Sequence, residues 1–174
     1  FTGISPGTYT VTLNDSKLCG PVISSSFNII EPGAISITST NFTDILCNGD
    51  NDGTITINAS GGNAPLTYTL NPLAIQTNLT GSFSSIAAGS YTVNVSDPLG
   101  CPGAVSGAIL ITDPPVIAIT GEAETDITCN GDNDGSISIT ASGGTGSLHY
   151  TLNPSALTQI NNGTFINLTP NIYS

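Results

Sequence analysis

Two loops share one wording, Cys47-Asn48-Gly49-Asp50-Asn51-Asp52-Gly53 and Cys129-Asn130-Gly131-Asp132-Asn133-Asp134-Gly135. Each sets side-chain oxygens at alternate positions ahead of a glycine, the first half of a calcium-binding loop. Asn48, Asp50 and Asp52, with Asn130, Asp132 and Asp134 in the second copy, are therefore candidate metal ligands, and calcium is the cofactor they would hold; none is otherwise required. The bidentate acid that closes such a loop at position twelve is replaced by Ala59 and Ala141. The competing reading is an Asx-rich turn, in which Asn and Asp bond their own backbone on the way into a strand.

The four cysteines, Cys19, Cys47, Cys101 and Cys129, fall into two equivalent pairs without a zinc-like C-x-x-C. They point to disulfides in an oxidising compartment. The expected bridge is Cys47–Cys101, with Cys19 and Cys129 paired outside this stretch; the rival connectivity is Cys19–Cys47 with Cys101–Cys129. Thiol catalysis would want a nearby base, yet the single histidine, His149, has Thr67 as its counterpart in the other copy. No Ser-His-Asp set or paired carboxylates can be assembled within one copy, so no enzyme is expected.

Composition narrows the partners. One Lys+Arg stands against twelve Asp+Glu, a formal charge of −11. Lys17 alone cannot neutralise a phosphate backbone or an anionic membrane surface, which excludes nucleic acid and electrostatic lipid docking. No run of about 18 apolar residues is present, so no membrane insertion is expected in this segment. The expected partners are neighbouring repeats of the same chain, other copies in a fibre, and surface polysaccharide.

The elements that must position these residues repeat. CNGDNDG returns at an offset of 82, from Cys47 to Cys129, and other landmarks keep the same offset. They are Phe1, Phe83 and Phe165; Tyr9, Tyr91 and Tyr173; Cys19 and Cys101; and Pro32 and Pro114. A fixed period of this kind is the mark of a repeat array. The expected division is the C-terminal part of one repeat (1–30), a complete repeat (31–112) and the N-terminal part of the next (113–174), with Glu31-Pro32 and Asp113-Pro114 as joints. Joints this short predict a rod-like array rather than modules on flexible linkers.

Alternation of apolar and polar residues predicts strands at Ala34–Thr40, Thr54–Ala59, Leu66–Leu70, Ser82–Ile86, Ser90–Ser96 and Ala108–Thr112. Pro72–Thr80 reads as an insert-like segment. No helical period appears. Strands of this number and length predict an all-β fold of tandem immunoglobulin- or fibronectin-III-like β-sandwich repeats. Tyr9, Tyr91 and Tyr173 sit where a tyrosine corner would, with the hydroxyl bonding back to backbone. Gly7, Gly89 and Asn171, just ahead of them, fit a turn position with positive φ.

The run CNGDNDGTITINASGG, then LTYTL, then GSYTVNVSDPLGC resembles the SprB-type repeat of Bacteroidetes cell-surface adhesins. The resemblance extends over the complete unit and both partial ones. It implies a very large secreted protein, exported by type IX secretion and lying outside the cell or on its surface. Gliding motility belongs to the member that gives the family its name. The function so implied is an adhesin shaft or extracellular fibre, with a self-assembling filament subunit or a glycan-binding module as alternatives.

Overall fold

Val, Ile and Tyr at every second position, with Thr, Ser and Asn between them, suit a pleated strand with one buried face. Gly53–Ser60 and Gly89–Ser96 show it most clearly: Ile55, Ile57, Tyr91, Val93 and Val95 are buried while their neighbours are not. The computed structural model describes residues 1–17, 20–72, 75–160 and 162–174. Among these there are strands and turns but no helix, and the strands form several sheets, an arrangement consistent with β-sandwich folds.

The chain divides into two compact units. The first comprises Phe1–Thr40, Ile57–Gly81 and Val93–Ser106, the second Asn41–Thr56, Ser82–Thr92 and Gly107–Ser174. In the first, Gly7–Tyr9 pairs with Phe27–Ile29 and Thr12–Leu13 with Val22–Ile23, all antiparallel. Thr67–Asn71 pairs with Gln76–Asn78, and Asn94 and Val95 face Val105 and Ala104. Its buried apolar side chains among the described residues are Ile35, Ile57, Tyr68, Leu70, Val93 and Val95.

In the second unit Gly53 faces Ile86 and Ile55 faces Phe83, while Gly89–Tyr91 lies against Ile109–Ile111. The same register returns in the next copy of the motif, where Gly135 faces Leu168 and Ile137 faces Phe165. Ala118–Thr125 flanks that pair on the other side, and His149–Leu152 pairs with Leu157–Ile160. Leu152, Phe165 and Leu168 form a small buried cluster against Ile137, Tyr150 and Tyr173.

The predicted strands are present with ends shifted by a few residues; Ala34–Thr40, for example, becomes Ser36–Thr43. Pro72–Thr80 is not merely an insert, because Gln76–Asn78 pairs back onto Leu70–Tyr68. Asn78 then closes the segment, its Oδ1 accepting the Gly81 N–H at 2.8 Å. Leu73 and Ala74 lie outside the described residues. The expectation of positive φ ahead of the tyrosines holds only at Gly89, at +159°, and not at Gly7 or Asn171. A Cβ on Gly7 would meet the Tyr9 hydroxyl at 3.3 Å, a tight approach, whereas one on Gly89 would lie 3.4 Å from the Tyr91 ring, an ordinary contact.

Gly81 is one of several glycines held against a backbone oxygen. Its φ is +73°, and a Cβ would overlap the Ile57 carbonyl oxygen. The two backbones cannot part to make room, because the Ile57 N–H is bonded to the Gly81 carbonyl at 2.8 Å. Gly163 meets Ile139 in the same way. Gly81→Ala is expected to cost about 1–3 kcal/mol by urea denaturation. Gly33→Ala, at a position with open space around it, should stay within about 0.5 kcal/mol of the parent.

Candidate functional site

The loop after Cys47 is built by turns. The Asp50 N–H donates to the Cys47 carbonyl at 3.0 Å, and Asp52 Oδ1 accepts the Leu46 N–H at 3.1 Å, closing the loop on itself. The second copy does the same with Asp132 on Cys129 and Asp134 on Thr128. Asp134 also accepts the Thr128 hydroxyl, and the hydroxyl first and the N–H second hold its carboxyl below the usual carboxylate range. Asp52 and Asp134 thus bond local backbone, the Asx use of these residues. Among the described residues no group of three His, Cys, Asp or Glu is arranged to hold a metal ion.

Asn48 and Gly49 reach further along the chain. The Asn48 amide donates to Asp113 Oδ2 at 3.2 Å and to the Pro114 carbonyl at 2.8 Å, and the Gly49 N–H donates to Asp113 Oδ1 at 3.1 Å. The Thr145 hydroxyl donates to the Leu46 carbonyl at 2.8 Å. Close by, the Thr112 N–H donates to Asp44 Oδ1 at 2.7 Å while Ile45 N–H donates to the Thr112 carbonyl. The Asn48-Gly49 end of the loop is thus bonded to Asp113 and Pro114.

A second polar centre, absent from the sequence reading, lies in the first unit. Asp97 is the buried polar side chain among the described residues. Its Oδ2 accepts the Asn63 N–H at 3.1 Å and the Asn63 amide at 3.0 Å; its Oδ1 accepts the N–H groups of Leu99 at 3.1 Å and Cys101 at 3.0 Å. The Asn63 side chain first, then the backbone N–H groups of Cys101 and Asn63, hold the carboxyl well below its ordinary range against the opposing effect of burial. The same carboxylate, by hydrogen bonding and aided by burial, pushes the Cys101 thiol up. The signal was an aspartate opening each turn before a cysteine, Asp97-Pro98-Leu99-Gly100-Cys101 and Asp15-Ser16-Lys17-Leu18-Cys19. In the earlier copy Asp15 Oδ1 likewise accepts the N–H two residues on, from Lys17 at 2.9 Å.

Cys47 and Cys129 are exposed and Cys101 is half-buried, and all three are free thiols in the structure; Cys19 lies outside the described residues. The tyrosine hydroxyls each donate to a carbonyl four residues back: Tyr9 to Ser5 at 2.8 Å, Tyr91 to Ala87 at 3.0 Å and Tyr173 to Thr169 at 2.9 Å. His149 is exposed on its strand.

Two outcomes are expected. Because the Asp97 carboxyl is lowered in the folded chain, its contribution is complete above the unfolded value of about 3.9 and is lost as pH falls below that toward the folded value. Urea midpoints should hold from neutrality to about pH 5 and drop below about pH 4, and Asp97→Asn should lower the plateau and flatten that drop. For the loop, chelation followed by millimolar calcium is expected to leave the thermal midpoint unchanged. A midpoint that climbs with calcium would make Asp50 and Asp132 metal ligands instead.

Comparison with known proteins gives one family. The family model described as SprB repeat matches the chain twice, over residues 39–74 and 122–157. A search of the curated proteins returns no match. Both matched stretches contain a CNGDNDG loop and the strand that follows it.

Proposed function

We propose that this chain, which carries two SprB repeats, is a section of the shaft of a large secreted surface adhesin or extracellular fibre of a bacterium. The family is one of structural repeats associated with cell-surface proteins, and no catalytic role is assigned to any residue here. The observation that carries the reading is the clasp. Asn48 and Gly49 hold the Asp113-Pro114 joint by side chain and backbone together, and Thr145 holds Leu46 from beyond it. Such bonds restrict the joint directly, so each repeat would be set at a fixed angle to the next.

In this reading one repeat spans the offset from Cys47 to Cys129, and each is an immunoglobulin- or fibronectin-like sandwich. The three tyrosine hydroxyls bonded four residues back support it as tyrosine corners. The cell surface also explains the composition. A chain whose only trypsin-type site is Lys17 gives proteases that need Lys or Arg little to cut. An oxidising exterior would let the exposed thiols of Cys47 and Cys129 form disulfides with cysteines brought beside them.

Small-angle scattering on proteins carrying one to four tandem copies of residues 32–113, which keep Asn48 and Asp113 in every copy, tests the shaft. The maximum dimension is expected to rise by a constant increment per copy. Asn48→Ala with Asp113→Ala should shorten it without altering the unfolding midpoint of a single copy. Growth with the square root of copy number in the parent sequence, the behaviour of a flexible string, would sink the reading.

A further inference from the structure

An asparagine followed by glycine is prone to modify itself, because no side chain shields the glycine nitrogen from the asparagine side-chain carbonyl. The chain has three such steps, Asn48-Gly49, Asn130-Gly131 and Asn162-Gly163. For Asn48 to react, the Gly49 N–H must first lose its proton to a base in solution. The nitrogen then attacks Asn48 Cγ; an N–Cγ bond forms, and the Cγ–Nδ2 bond breaks as ammonia leaves with a proton. Water opens the succinimide at either carbonyl, giving aspartate or, where the main chain now passes through the former side-chain carbonyl, isoaspartate. The sum is asparagine and water going to the acid and ammonia.

Both reacting nitrogens of the first step are held by one carboxylate. The nucleophile, the Gly49 N–H, donates to Asp113 Oδ1 at 3.1 Å and to Oδ2 at 3.3 Å. The leaving group, Asn48 Nδ2, donates to the same Oδ2 at 3.2 Å and to the Pro114 carbonyl at 2.8 Å. An anionic acceptor beside an N–H opposes removal of its proton, and such charge-assisted bonds are the stronger kind. The two bonds on Nδ2 also fix the side-chain amide in one orientation. Packing adds no shield of its own. Asn48 and Gly49 are exposed, so water and hydroxide reach them. A Cβ on Gly49 would meet nothing within 4 Å, and glycine is favoured there by its φ of +84° rather than by lack of space.

We propose that Asn48 is a modification site, deamidated through the Gly49 nitrogen and restrained from it by Asp113, so that conversion and loss of the Asn48–Asp113 contact are one event. After conversion, position 48 carries a carboxylate with no N–H to give. It would face Asp113 and the Pro114 carbonyl, both acceptors, and repel the first. No step of the chemistry regenerates asparagine, so the loop is a one-way switch that opens in ageing chains. The proposal concerns the chemistry of one residue and does not depend on the chain being a shaft.

Peptide mapping by mass spectrometry, on the 174-residue chain held folded at mildly alkaline pH, is the test. Conversion of Asn48 is expected to be about tenfold or more slower in the folded parent than in guanidinium, the factor that one hydrogen bond to a charged group corresponds to. Asp113→Ala should raise the folded rate at Asn48 by about that factor and leave Asn130 and Asn162, references within the same molecule, unchanged. Hydrogen exchange of the Gly49 amide, which proceeds by loss of the same proton, should quicken in step. If Asp113→Ala does not fold, Asp113→Asn keeps the shape and one acceptor oxygen without the charge, and should still quicken both. Asn48→Asp, the mimic of the product, should quicken Gly49 exchange as well. An Asn48 rate equal in folded parent and guanidinium, a rate that the Asp113 variants leave unchanged or lower, or equal acceleration at all three asparagines would each overturn the proposal.

Discussion

A chain with one cation and twelve acids must satisfy its carboxylates with neutral donors, and much of the local structure follows from that. Asp97 takes four N–H groups, three from backbone and one from the Asn63 side chain. Asp52 takes the Leu46 N–H, Asp44 that of Thr112 and Asp113 that of Gly49. Hydrogen bonds to an ionised acceptor are the stronger kind, and a carboxylate that gathers several backbone N–H groups fixes the turn supplying them. Turns that other proteins secure with a buried apolar residue or an ion pair are here wound around aspartates.

This choice has consequences where Asn48 and Gly49 meet Asp113 and Pro114. An exposed ion pair weakens as salt rises, because screening acts over about 10 Å at moderate ionic strength. The contacts of Asn48 and Gly49 with Asp113 and Pro114, and of Thr145 with Leu46, are short directional bonds to neutral donors, which screening touches much less. The acidic surplus that remains gives copies a mutual repulsion.

Most of the fold was legible because strand periodicity is local. Ile55 and Ile57, or Tyr91, Val93 and Val95, declare their face within a few residues, and Ile137 and Ile139 repeat the declaration in the next copy. Gln76–Asn78 was not legible, since a three-residue strand of polar residues is made by pairing with Leu70–Tyr68 and not by its own pattern. The CNGDNDG loop was found at once but for its oxygens as ligands; that Asn48 would turn toward Asp113 depends on a residue far along the chain. Asp97 was missed because an aspartate in a turn looks alike whether it faces solvent or closes on Asn63.

The periodicity also separates what a repeat can do alone from what it cannot. Opening strands such as Gly53–Ser60 bring one wall of the core, and the closing strands bring Val93, Val95, Ile109 and Ile111, which are among the most buried residues of the chain. Until those arrive, the wall is an apolar face with strand edges beside it. Edges are usually protected by lysine or by inward charge, and this composition has almost none to give. Protection must come from prompt pairing with a closing strand of matching register.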